Sequence, residues 1–158
     1  MANRYLLPVF KKVYDRDFSY SNFDDRLEMQ KAVYLLQSMG VPVGDYAFRW
    51  YHHGPYSQTL QDDMHYEDGR GCAHLKINAE YARKIDQLRD IIDSPAKEPY
   101  PLRKWVECLA SLHYLREYVL PHGATQEAVI TELESRKPHL DQHTVNEEAY
   151  RKMDALFS

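Results

Sequence analysis

The 158-residue sequence is poor in cysteine and has no long apolar run. Its two cysteines, Cys72 and Cys108, are far apart in the chain, which argues against a disulfide framework and favours a reducing compartment. No stretch approaches the roughly 20 apolar residues that a membrane-spanning helix needs. Pro8 and two lysines closely follow the Leu6-Leu7 pair, a pattern unlike a secretion signal. We therefore expect a cytoplasmic protein with no membrane segment.

The sequence also lacks an excess of positive charge. The formal net charge is -4 and the pI is about 6.0, so the whole molecule has no electrostatic bias toward nucleic acid. The charges are nevertheless segregated. Basic residues gather near the N-terminus: Arg4, Lys11, Lys12 and Arg16. Acidic residues gather in the segment 57–70, where they predict an acidic partner-binding surface: Asp62, Asp63, Glu67 and Asp68.

Signatures of catalysis are absent from the sequence. It contains no phosphate-binding loop, no G-x-G-x-x-G and no H-E-x-x-H. Ser57 has histidines nearby but no G-x-S-x-G context, and its position favours capping a following helix. Cys108 stands among apolar residues, as an inert packed thiol does. We expect a protein that is not an enzyme and binds no cofactor.

Histidines and one cysteine are concentrated in the middle of the chain, which raises the question of a metal site. The residues are His52, His53, His65, Cys72 and His74. Structural zinc sites normally use two close ligand pairs, and here only Cys72 and His74 are tightly spaced. Adjacent histidines in an extended segment point to opposite sides. Ordinary surface histidines explain the pattern better, and we predict no metal.

Apolar spacing predicts a mainly α fold, a compact bundle of about six helices in a single domain over residues 1–158. We divide it into an N-terminal arm (1–24), a helical core (25–120) and a C-terminal helix pair (124–158). The strongest helical pattern runs from about Asp25 to Gly40, and the longest central helix from Leu102 to Leu120. Asn78 and Thr125 are predicted helix caps.

One short extended or β-hairpin segment is expected within this bundle. Residues 41–52 show partial alternation, and Pro55 would then open the next helix. The stretch His74–Ile77 also alternates and could form half of a hairpin or wing. A winged-helix arrangement is therefore the alternative within the same fold class.

A ten-residue aromatic stretch, FRWYHHGPYS at 48–57, is the most distinctive feature of the sequence. With the preceding helix it resembles the YwgA-like family, through a Q-K-x-x-Y-L-L-Q helix and an F-x-W-Y-x-x-G-P-Y-S-x-x-L-x-x-D motif. The motif positions are Phe48, Trp50, Tyr51, Gly54, Pro55, Tyr56, Ser57, Leu60 and Asp63. We expect Phe48, Trp50 and Tyr56 to pin the segment to the helical core.

The resemblance extends to the C-terminal domain of DarG-type antitoxins and, more distantly, to Panacea-type antitoxin domains. It implies a domain that holds a toxin, by imitating the DNA on which the toxin acts. Thirteen tyrosines also suit a protein interface. We expect a non-enzymatic, antitoxin-like or phage-defence-associated module that binds a protein partner. The alternative is a winged-helix-like DNA-binding regulator.

Overall fold

The computed structural model describes residues 3–71 and 76–158. Over these ranges it is mainly helical with one small antiparallel hairpin, which confirms the predicted fold class. The helices are α1 (Leu6–Tyr14), α2 (Phe23–Ser38), α3 (Gln58–Glu67), α4 (Ala79–Ile92), α5 (Leu102–Tyr114), α6 (Gln126–Arg136) and α7 (His143–Leu156). The strands are β1 (Arg49–Tyr51) and β2 (Gly54–Tyr56).

Local side-chain caps fix where several helices begin. Ser57 Oγ accepts a hydrogen bond from the Leu60 amide, and Asn78 and Thr125 cap α4 and α6 as predicted. Helix α2 starts two residues earlier than Asp25, because Asn22 caps it.

Helix α5 is the centre of the bundle and packs against α2, α7 and β2. It continues as a wider, π-helical turn over Leu115–Val119, so the long helix predicted for 102–120 is present. Its fully buried side chains form one broad apolar face: Trp105, Val106, Cys108, Leu109 and Leu112. A helix so widely covered must lie inside the fold.

The predicted N-terminal arm contains helix α1, and this helix is part of the core. Helix α1 packs against α4, and Leu6 and Phe10 are completely buried. None of the helices over the described ranges combines the length and apolar character that a membrane span requires.

The hairpin lies within the FRWYHHGPYS stretch. Tyr51 pairs with Gly54 across a two-residue turn. Pro55 lies in β2 opposite Trp50, so the prediction that Pro55 opens a helix is wrong. Because Ser57 is the N-cap, helix α3 begins at Gln58. Proline is compatible with a two-stranded ribbon, where each strand has a free edge.

Gly54 is required in this hairpin for two reasons. Its φ is +88°, in the region where side chains with a Cβ are strained. A Cβ at this position would lie 2.3 Å from Ser111 Oγ on α5. The missing side chain lets the hairpin backbone approach the central helix. The other predicted strand, His74–Ile77, falls largely outside the described residues.

Candidate functional site: an aromatic cleft beside the hairpin turn

A cleft of about 330 Å³ opens between the first half of α2 and the hairpin turn. We call it the hairpin cleft. Its lining residues come from α2, the hairpin and α3: Phe23, Arg26, Leu27, Gln30, Lys31, Tyr51, His52, His53, Tyr56 and Gln61. Most of these side chains are aromatic, cationic or amide-bearing. The cleft is therefore polar enough to orient a ligand and has enough ring surface to cover one.

Hydrogen bonds from α2 hold the wall of the cleft in place. The Gln30 side-chain amide pairs with the Ser57 backbone, accepting from its N–H at 2.9 Å and donating to its carbonyl at 2.8 Å. Lys31 Nζ donates to the Pro55 carbonyl at 2.7 Å. The Gln-Lys pair of α2 and the Gly-Pro-Tyr-Ser step therefore form one structural unit, although they are about 25 residues apart in the chain.

A buried carboxylate lies behind the hairpin turn. Glu107 of α5 is 2% exposed, and its Oε2 is 2.9 Å from His139 Nε2 and 4.0 Å from Lys137 Nζ. Its Oε1 is 3.6 Å from His53 Nδ1. We call Lys31, Glu107 and Lys137 the buried charge cluster. A carboxylate so enclosed is stable only with such partners.

Lys137 ties the hairpin turn to the loop that follows α6. Its Nζ donates to the Tyr51 carbonyl at 2.9 Å and also to the His52 carbonyl. The same ammonium lies 4.9 Å from the centre of the Trp50 ring. Two carbonyls at the tight turn thus gain a charged donor, which fixes the position of the cleft wall.

Burial changes the protonation behaviour of these cations. It lowers the pKa of Lys31 to about 7, although the charge of Glu107 opposes this effect. Burial also lowers the pKa of Lys137 and of His53, and in both cases Glu107 acts in the opposite direction. The charge at the base of the cleft is therefore sensitive to a nearby anion.

Aromatic rings stand on both sides of the opening. Tyr51 and Tyr56 lie 5.3 Å apart between ring centres on the hairpin side. On the helix side, the Arg26 guanidinium lies 5.6 Å from the centre of the Phe23 ring. Phe23 is 50% exposed and Tyr51 is 56% exposed. Large rings held at this exposure are typical of interface anchors.

The structure separates the predicted motif residues into two groups. Phe48 and Trp50 are half-buried and pack against the core, and Leu60 is fully buried. Tyr56, which we expected to pack on the core, lies at the cleft instead. Its ring contacts that of Tyr51, its diagonal neighbour across the hairpin. The motif thus builds the fold with one set of residues and lines the cleft with another: Tyr51 and Tyr56.

The predicted acidic surface is wrong for two of its four residues. Asp63 and Glu67 are each 6% exposed. Asp63 accepts a hydrogen bond from the Tyr46 hydroxyl at 2.7 Å, and Glu67 accepts one from the Asn3 amide at 3.0 Å. The helical period of α3 turns both carboxylates to the side that carries buried Leu60.

The other two acidic residues, Asp62 and Asp68, are exposed. Asp62 bonds to Gln58 one turn earlier, and Asp68 accepts a hydrogen bond from the Tyr20 amide at 2.9 Å. These two exposed carboxylates do not make a continuous acidic face.

Of the five residues considered as metal ligands, Cys72 and His74 lie outside the described residues. Within residues 3–71 and 76–158, no group of three or more His, Cys, Asp or Glu side chains is arranged to hold a metal ion. His52 and His53 form the hairpin turn. Cys108 is fully buried, and burial raises the pKa of its thiol well above the usual value.

Sequence reasoning missed the buried charge cluster. Signals for it were present: Lys31 belongs to the Q-K-x-x-Y pattern, and Glu107 is a lone carboxylate between Val106 and Cys108 on the apolar face of α5. A charge between apolar residues in a helix with a broad apolar face indicates a buried partner, but it does not identify that partner.

No protein-family model, curated protein or solved structure matches this chain. The resemblance to the YwgA-like family therefore stays a prediction.

Proposed function

We propose that this chain is a non-enzymatic protein-interaction module that binds its partner at the hairpin cleft. In keeping with the family resemblance, we further propose an antitoxin-like or phage-defence role. The DNA-binding alternative has less support, because the hairpin is packed on α2 and α5 and the molecule carries a net negative charge.

The observation that carries the proposal is the pairing of exposed rings with a rigid support. Phe23 and Tyr51 are at least half-exposed, yet the segments that bear them are fixed by hydrogen bonds from buried lysines and Gln30. Rings already held in place lose little conformational entropy when they bind. Tyrosine and arginine around such a cleft match the composition of interaction hot spots.

A photo-crosslinking amino acid placed at Tyr51 tests the site in cells that make the protein. We expect it to form one dominant protein adduct. The same group at Tyr118 is the control, because that tyrosine is 65% exposed and does not line the cleft. Equal crosslinking at both positions, or none at Tyr51, would contradict the proposal.

The antitoxin role is tested by co-expression with the toxic product of a neighbouring gene. Relief of growth arrest by the wild-type chain is expected, with loss of relief in Tyr51→Ser and retention in Tyr118→Ser. If no adjacent product is toxic, or if Tyr51→Ser protects as well as the wild type, the antitoxin role is wrong.

A further inference from the structure

The hairpin cleft has an unbalanced charge. Of its ten lining residues, Arg26 and Lys31 are basic, and none is an aspartate or glutamate. Over the described residues, no carboxylate lies within ion-pair distance of the Arg26 guanidinium. An anion entering the cleft would therefore meet positive charge that the protein has not neutralised.

The buried charge cluster contains more lysines than carboxylates. Two lysines share a single carboxylate, and Glu107 lies closest to His139 and Lys137. Lys31, at the floor of the cleft, has three N–H donors, of which the Pro55 carbonyl accepts one. The lowered pKa of Lys31 agrees with an ammonium whose burial is only partly compensated.

The guanidinium of Arg26 supplies a second set of donors at the edge of the cleft. One of its nitrogens donates to the Tyr20 carbonyl, and its Cζ atom lies 5.2 Å from the centre of the Tyr20 ring. These two contacts hold the guanidinium in place and leave other N–H groups for a planar oxygen pair. Carboxylates accept from such a fork in bidentate fashion.

We propose that the hairpin cleft recognises an acidic side chain, aspartate or glutamate, on a segment of the partner protein, with the carboxylate accepting from Arg26 and the amine of buried Lys31 lying beneath it. This inference rests on the proposed function and specifies the chemistry of the partner. The rings of Phe23, Tyr51 and Tyr56 cover the apolar part of the same segment.

The dimensions and charge favour a peptide carboxylate over the phosphates of DNA. A cleft of about 330 Å³ holds a side chain with its flanking backbone but cannot follow a duplex. Duplex DNA would also bring many charges toward a molecule of net charge -4, whereas one carboxylate is a small local charge.

The test uses the full chain and short degenerate peptide libraries whose central residue is fixed as Glu, Gln or Lys, with binding followed by fluorescence anisotropy. We expect the Glu library to bind about tenfold more tightly than the Gln library, since hydrogen bonds to charged groups are the stronger kind. Added salt should reduce this preference. Duplex DNA is measured beside the libraries.

Arg26→Gln should remove the preference for Glu, while Arg49→Gln should keep it. Arg49 is an exposed hairpin arginine that does not line the cleft, so it is a matched control for loss of one positive charge. The melting temperature of both variants should be unchanged. If Arg26→Gln melts at a lower temperature, the test is repeated with Arg26→Lys, which should retain part of the preference for Glu.

Several outcomes would overturn the inference: no binding of any library, equal binding of the Glu and Gln libraries, or tighter binding of duplex DNA. Its failure can be told apart from failure of the proposed function. If Tyr51→Ser loses the natural partner while Arg26→Gln keeps it, the cleft binds a protein but not through a carboxylate. If neither variant affects the partner, the cleft is not the binding site.

Discussion

Lys31 lies in the middle of α2 with 1% of its surface exposed, and its ammonium bonds to the Pro55 carbonyl. Burial of a charge is costly, so a lysine at such a position must provide something that an apolar residue cannot. Here it joins α2 to β2 and places a titratable amine beneath the hairpin cleft. A methionine of similar length would fill the space without either effect.

The folding stability contributed by Lys31 should depend on pH. Burial lowers its pKa to about 7 in the folded chain, from an ordinary value of 10.5. Between these values the unfolded chain binds more protons, so stability rises with pH, and below pH 7 the cost of burying the charge is fully present. Relative to Lys31→Met, the wild type should gain about 2–4 kcal/mol between pH 6.5 and pH 9.5, as measured by urea unfolding.

A matched control for this titration is Lys12→Met, at an exposed lysine of α1. The difference between wild type and Lys12→Met should stay flat over the same pH range. A flat difference for Lys31→Met as well would mean that the ammonium of Lys31 is hydrated in solution.

At the scale of elements, the hairpin is held from three directions. Lys31 of α2 bonds to Pro55, Lys137 beyond α6 bonds to the turn carbonyls, and Gly54 allows close approach to α5. A hairpin of two three-residue strands would be marginal alone. Its order therefore comes from these tertiary contacts, with Glu107 as the shared counter-charge.

Replacing Glu107 with glutamine should destabilise the fold by about 3–5 kcal/mol, because it leaves Lys31 and Lys137 buried without a counter-charge. Chemical unfolding measures the change. Glu117→Gln is the control on the π-helical turn after α5, where Glu117 is exposed and its ion pair with Arg116 is worth at most about 1 kcal/mol. Equal effects of the two substitutions would show that Glu107 does not balance the lysines.

The helices could be predicted from the sequence more closely than the cleft. Caps such as Asn78 and Thr125 and the apolar spacing of α5 act within a few residues, so the helices could be predicted closely. The cleft depends on contacts between distant segments, such as Gln30 with Ser57. The buried Lys31 and Glu107 beneath it are also exceptions to the rule that lysine and glutamate lie at the surface.

At the scale of the whole molecule, burial of α1 makes the N-terminal segment part of the packed bundle. The first helix closes the core against α4, and Phe10 makes ring contacts with Tyr14 at 4.8 Å and Phe18 at 5.2 Å. A segment that only projected from the bundle would make no such contacts. The two descriptions predict opposite effects of substitution in α1.

Phe10→Ala should lower the free energy of unfolding by about 3–5 kcal/mol, the usual cost of removing a large aromatic side chain from a core. Tyr5→Ala, next to the start of the same helix, is the control, because Tyr5 is 43% exposed. Its effect should stay within about 0.5–1 kcal/mol, as for other surface positions. Urea unfolding should give a single transition in both variants, since α1 shares one core with α4. A change below about 1 kcal/mol for Phe10→Ala, or a separate early transition, would show that α1 detaches from the bundle and acts as an arm.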